Sequence, residues 1–181
     1  SFKSLAVNIS PFQFSREDFV EQIQYVIDST GVDAAQLDLE ITEGMLVENI
    51  KAVAAKMYAL QHRGIRFSID DFGTGYSSLR YLQHLPLDQL KIDQSFIRDI
   101  TEDPNSYEII NTIISMAKHM KLSVIAEGVE TNFEENILSS IGCHRFQGFY
   151  FSKPLEKHTA TQYLIEQKRF PLQLNEVSTT P

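Results

Sequence analysis

Ile65-Arg66-Phe67-Ser68-Ile69-Asp70-Asp71-Phe72-Gly73-Thr74-Gly75 is the stretch that decides the fold. Residues 65, 67 and 69 are bulky and apolar, and residues 66, 68 and 70 between them are polar. That period of two is the mark of a β-strand with two different faces. The strand runs out in two adjacent carboxylates and then a glycine-punctuated loop. Outward in both directions the same pattern returns. Leu5-Ala6-Val7-Asn8-Ile9, Leu37-Asp38-Leu39-Glu40-Ile41, Leu90-Lys91-Ile92 and Leu122-Ser123-Val124-Ile125-Ala126-Glu127 each oppose an apolar face to a polar residue near the strand end. His144-Arg145-Phe146-Gln147 is a weaker sixth case, with His144 opening the strand. Six strand ends thus carry Asn8, Glu40, Asp70, Lys91, Glu127 and Gln147. A parallel β/α barrel collects such residues at one mouth, with the apolar strand faces turned outward under the helices.

Helical segments fill the intervals. One starts at Ser15-Arg16-Glu17-Asp18 and runs to about Asp28, with Gly31 just past its end. A second spans about Glu48 to His62 and stops at Gly64. Asp103-Pro104 is a cap followed by proline at the first helical position, opening a helix through Ile109, Ile110, Ile113, Ile114 and Ala117. Thr131-Asn132-Phe133-Glu134 is a capping box, and a last helix covers Lys157 to Gln167. About six strand–helix units are counted, against the eight of a closed barrel. Open barrel edges are avoided. The expectation is therefore an α/β, TIM-like barrel domain over residues 1–168 that lacks two N-terminal units or takes them from another chain, with a mobile tail over 169–181.

The chain has 181 residues, 43% of them apolar and 22% charged, which is ordinary for a globular domain with a core. A net charge of −8 argues against an electrostatic grip on a nucleic-acid polymer. Bound cations can nevertheless invert the local field for an anionic substrate. Cys143 is the single cysteine, which excludes an internal disulfide and a cysteine-based zinc site. A reducing, cytoplasmic location is expected. No apolar run approaches the ~18 residues of a membrane span.

The chemistry lies in the strand ends taken together. Asp70-Asp71 alone is also what an Asp-rich turn looks like, and Gly73 and Gly75 match neither standard phosphate-binding glycine fingerprint. Adjacent strand residues point apart, so Asp71 must reach the site from the start of the loop. In Glu40-Ile41-Thr42-Glu43, Glu40 lies inside the barrel mouth and Glu43 on the following loop. Lys91, between two apolar residues, is costly unless carboxylates surround it or it serves as a site cation. Glu127 closes an apolar strand, and Asn8 and Gln147 are neutral oxygen donors at equivalent depth. Oxygen ligands without cysteine or clustered histidine favour Mg²⁺ or Mn²⁺ over zinc.

These segments resemble a family. Val7-Asn8-Ile9-Ser10, Glu40-Ile41-Thr42-Glu43, Asp70 to Leu79, Lys91-Ile92-Asp93, Ala126-Glu127-Gly128-Val129-Glu130 and Gln147-Gly148 look like the ordered motifs of EAL domains, bacterial cyclic di-GMP phosphodiesterases. The resemblance runs from about Ser4 to Leu155. It implies hydrolysis of cyclic di-GMP to linear pGpG with two Mg²⁺ or Mn²⁺ ions, within a signalling protein that carries upstream sensor or regulatory domains, whose cytoplasmic portion this could be. It implies that Asn8, Glu40 and Asp70 hold the first metal, that Asp70 also bridges to the second, and that Asp71 is the second metal's main protein ligand. Glu127 would lie at the metal–water centre, Lys91 would orient or deprotonate the attacking water, and Gln147 would support substrate. Glu43 would anchor the loop Phe72, Gly73, Thr74, Gly75, Tyr76, Ser77, Ser78, which would couple metal binding to a homodimer. The Glu-Ala-Leu motif that names the family lies upstream of Ser1, in the units the strand count finds missing. An EAL-like receptor that binds cyclic di-GMP without cutting it is the alternative. Such receptors are expected to lose site carboxylates or the lysine, and all are retained here.

Overall fold

A computed structural model describes residues 4–46, 50–74, 82–101 and 103–165. Six strands form one sheet in chain order, and every neighbouring pair is parallel. They are β1 (Leu5–Asn8), β2 (Leu37–Thr42), β3 (Arg66–Phe72), β4 (Gln89–Ile92), β5 (Ser123–Glu127) and β6 (Phe146–Gln147). Consecutive parallel strands, with helices between β1 and β2, β2 and β3, β4 and β5, and β5 and β6, make the wall of a β/α barrel. The central strands are buried on both faces, as an all-parallel sheet requires. Ile41, Phe67, Ile69, Leu90 and Ile92 are fully buried on the helix side. On the other face, Glu40, Ser68, Gln89 and Lys91 are buried as well.

The described helices are α1 (Pro11–Ser15), α2 (Phe19–Thr30), α3 (Ile50–Gln61), α4 (Gln94–Asp99), α5 (Pro104–His119), α6 (Asn132–Ser140) and α7 (Lys157–Ile165). Asp103 caps α5 with Pro104 in its first turn, and Thr131 and Glu134 form the capping box of α6, as the sequence indicates. Three local readings need correction. The expected helix from Ser15 is two helices. Ser10 and Gln13 make a capping box with Pro11 at the first position, so α1 begins at Pro11 and ends at Ser15. The helix α2 then starts behind Asp18, whose carboxylate pairs with Arg16. A short helix, α4, is the second correction. Asp93 caps it by accepting a hydrogen bond from the Ser95 amide at 2.9 Å. The sixth strand opens at Phe146, leaving His144 outside it. The expected start of the second helix at Glu48, the end of the last at Gln167, and the tail 169–181 lie outside the described residues.

One irregularity positions the site. Ile69 pairs with Leu90 and Phe72 with Ile92, so Asp70 and Asp71 together stand opposite Lys91. Two residues against one is a β-bulge, and Asp71 adopts a left-handed backbone, φ 53°, to make it. The strand therefore does not end at Asp70 with Asp71 on a loop. It continues through Phe72, and the bulge supplies what a regular pleat cannot: two consecutive carboxylates on one side of the sheet.

Candidate active site

Lys91 is the centre of the barrel mouth. It is 3% exposed, and its Nζ lies 2.8 Å from Glu40 Oε1, 2.9 Å from Asp70 Oδ1 and 2.8 Å from Glu127 Oε1. Three strands thus deliver three carboxylates to a lysine on a fourth. The Asn8 side-chain amide, from β1, ends 3.2 Å from both Glu40 Oε2 and Asp70 Oδ2. With its nitrogen there it donates to both; with its oxygen there, three oxygens converge and only a cation can sit among them. Carboxylate oxygens of Asp70, Asp71 and Glu127 also lie within 4.8 Å of one another. An all-oxygen donor set of carboxylates and one amide fits a hard divalent cation of the Mg²⁺, Mn²⁺ or Ca²⁺ type.

The electrostatics follow from burial. Desolvation raises the Glu127 carboxyl to about 7, although its hydrogen bond to Lys91 pulls the other way. Glu40 is raised from the usual carboxylate range for the same reason. Burial also opposes the charge on Lys91, but the hydrogen bonds to Glu127, Glu40 and Asp70 outweigh it and hold the ammonium protonated. Asp71 is pushed up by burial and then by the negative charges of Asp70 and Asp93.

A cavity of about 410 Å³ opens beside this cluster. Asp71, Asp93, Glu127, Gln147, Phe149 and Lys153 are among the residues that line it. Lys153 Nζ lies 5.8 Å from the centre of the Phe149 ring. Gly148 backs on to the Val129 backbone so closely that no Cβ would fit. Glu43 is buried, and its Oε2 accepts a hydrogen bond from the Gly73 amide at 3.1 Å. Gly73 has φ 103°, and a Cβ there would meet the Phe96 ring at 2.7 Å. Of the loop anticipated around it, Phe72, Gly73 and Thr74 are described, and Gly75, Tyr76, Ser77 and Ser78 lie outside the described residues.

Asn8, Glu40, Asp70, Lys91 and Glu127 therefore form one connected cluster. Asp71 joins them through the bulge, Gln147 shares the cavity, and Glu43 stands behind Gly73. Sequence reasoning gives no role to Asp93, Phe149 or Lys153. For Asp93, the available signal is its position at a strand end before a short helix. Sequence reasoning also overlooks a second polar layer beneath the mouth. There the Ser68 hydroxyl donates to Asp38 Oδ1 at 2.7 Å and accepts from Gln89 Nε2 at 3.2 Å. Gln89 Oε1 in turn accepts from the Ser123 hydroxyl and from Arg145 Nη1, each at 3.2 Å.

The EAL domain family model matches residues 1–154, and the chain belongs to that family. The cyclic di-GMP phosphodiesterase NbdA of Pseudomonas aeruginosa is 41% identical over 160 residues, 88% of this chain and 20% of that protein. The structure of the Pseudomonas aeruginosa MucR phosphodiesterase in complex with c-di-GMP matches with a TM-score of 0.84 at 34% identity, over 87% of this chain and 64% of that one. The structure of Klebsiella pneumoniae BlrP1 with manganese and c-di-GMP matches with a TM-score of 0.76 at 32% identity, over 83% of this chain and 39% of that one. The barrel reading of the fold is thus borne out. The chain spans about a fifth of the length of relatives such as NbdA.

Proposed function

We propose that this domain hydrolyses cyclic di-GMP to linear pGpG with two divalent ions, Mg²⁺ or Mn²⁺. The observation that carries the reading is the buried Glu40–Lys91–Asp70–Glu127 cluster, continuous through Asp71 with a cavity large enough for part of a nucleotide. The similarity to phosphodiesterases and to c-di-GMP complexes supports it. Asn8, Glu40 and Asp70 would hold one ion and Asp70 and Asp71 the other, with the Glu127 carboxylate beside them. When bound, the ions neutralise the phosphodiester and make water nucleophilic near neutral pH.

The chain's own groups do the rest. Lys91 keeps a positive charge at Nζ, where negative charge grows as the phosphate is attacked. Glu127, poised near neutrality by burial, can accept a proton there. Gln147 and the cavity wall orient the substrate, and the Phe149–Lys153 pair flanks its outer part with an aromatic face and a cation. Glu43 fixes the backbone at Gly73, two residues after Asp71. We place the domain in a longer cytoplasmic signalling protein that pairs as a homodimer near this loop. No described helix is long and apolar enough to cross a membrane. A monomeric mass by sedimentation at working concentration would count against the dimer.

The test is turnover of cyclic di-GMP with Mn²⁺, read as pGpG by chromatography, for the full-length parent protein and its Glu40→Ala variant. The variant should lose a factor of about 1,000 or more while its circular dichroism is unchanged, since a missing ligand removes several kcal/mol of charge stabilisation. Tight binding without turnover in the unaltered protein would favour the receptor reading instead.

A further inference from the structure

Resting on the metal-site reading, we propose that α4 is a spacer that sets Asp71 and Glu127 at the separation the second ion needs, with Phe96 and Gln94 as its positioning residues. The helix continues directly from β4, the strand that carries Lys91, and β4 lies between β3 and β5 in the sheet. Asp93 caps its start by accepting from the Ser95 amide at 2.9 Å. Ile97 is fully buried and pins the helix to the core. α4 therefore stands over the end of β4, between the chain leaving β3 and the chain leaving β5.

Both of those exits press against it. The chain leaving β3 turns at Gly73, φ 103°, where a Cβ would come within 2.7 Å of the Phe96 ring. The chain leaving β5 turns at Gly128, φ 70°, where a Cβ would come within 2.5 Å of Gln94 Cβ and 3.3 Å of its Cα. Gly73 lies two residues past Asp71, and Gly128 is next to Glu127. Positions two apart in an α-helix are separated by about 200° around its axis, so Gln94 and Phe96 project to opposite sides of α4. A spacer requires just that, one side chain against each lip. The carboxylates so placed, Asp71 and Glu127, come within 4.8 Å of each other and of Asp70. Asn8 and Glu40 stand on β1 and β2, on the far side of β3 from this helix, so the first ion should not sense it.

Calorimetric titration of the 181-residue chain with Mn²⁺ tests this without reading activity. Phe96→Ala should weaken the second ion by about tenfold or more, as for residues that orient a metal ligand, and leave the first unchanged. Phe96→Leu, which still fills the seat, should bind both ions as the unaltered chain does. Equal weakening of both ions in Phe96→Ala, or of neither, would overturn the proposal. The opposite lip supplies a second test should that variant fail to fold. Gly128→Ala should weaken the second ion, and adding Gln94→Gly should recover most of the loss because the 2.5 Å contact is removed. A loss that Gln94→Gly does not recover would belong to the left-handed backbone and would overturn the spacer. If the unaltered chain takes up no Mn²⁺, the metal-site reading fails, and crystal structures of the metal-free unaltered and Phe96→Ala chains still judge the spacer. Asp71 should shift relative to Glu127 while Lys91 stays on Glu40; an unmoved Asp71 would refute it.

Discussion

The mouth of the barrel and the layer beneath it are built from the same strands, often two residues apart on the same face, yet they meet burial in opposite ways. Below, Asp38, Ser68, Gln89 and Ser123 are joined by hydrogen bonds at 2.7–3.2 Å. One carboxyl is present there; burial raises its pKa, and the Ser68 hydroxyl only partly offsets the rise. Above, Glu40, Asp70 and Glu127 crowd on to one lysine, and a further carboxylate, Asp71, is brought in on a left-handed backbone. The lower layer ties Asp38, Ser68, Gln89 and Ser123 into one hydrogen-bonded chain. The upper one holds more negative charge than its single cation balances. A fold that can hydrogen-bond its interior quietly at one level and does not at the next carries that charge for something other than stability.

The contrast can be broken from either side. After Glu40→Ala, the largest effect is expected from Asp71→Asn in the mouth. Asparagine tolerates the left-handed backbone, so stability should stay within about 0.5 kcal/mol while Mn²⁺-dependent turnover falls by a factor of about 100 or more. A loss of both together would mean that the bulge, not the charge, is what Asp71 supplies. Next comes Glu43→Ala, which leaves the Gly73 amide without its carboxylate acceptor. Turnover should drop about 10- to 100-fold, as for groups that orient a metal ligand, with metal stoichiometry unchanged.

Ser68→Ala should do the reverse. It breaks the lower chain at a fully buried hydroxyl and leaves Asp38 and Gln89 short of a partner, at a cost of about 1–3 kcal/mol by chemical denaturation, and it should leave metal affinity alone. The smallest effect is with pH. The Glu127 pKa rises from 4.5 to about 7 on folding, so the folded chain holds that proton more tightly than the unfolded one. Its contribution to stability is present below about pH 4.5 and is lost as pH rises through 7. Metal-free protein should therefore melt at a lower temperature at pH 8 than at pH 6, and saturating Mn²⁺ should remove that difference. An equal melting temperature at the two pH values without metal would contradict it.

How much of this is legible in the sequence follows from the geometry of strands. Alternation assigns a face, so the pattern of residues alone gathers Asn8, Glu40, Asp70, Lys91 and Glu127, and a lysine buried among apolar neighbours calls for carboxylates. Asp71 reads as a loop residue because a bulge is a defect in the very periodicity that finds strands. The lower layer escapes for a related reason. Ser68 and Gln89 are uncharged, so nothing in their type marks them out, and only the register that sets Ser68 beside Gln89 and Gln89 beside Ser123 makes them a chain. The early helix α1 is hidden when Ser15 and its acidic neighbours are favoured over Ser10-Pro11-Phe12-Gln13. Both are sound caps in isolation, and tertiary packing of Phe14 against Phe19, ring centres 5.0 Å apart, fits the bend between the two helices.

The central claim is that this mouth takes divalent ions on its own carboxylates. Anomalous diffraction from crystals of the 181-residue chain soaked in Mn²⁺ tests it most directly. The account expects one Mn²⁺ among Asn8, Glu40 and Asp70 and a second against Asp70 and Asp71. A mouth that stays metal-free at saturating Mn²⁺ would contradict it.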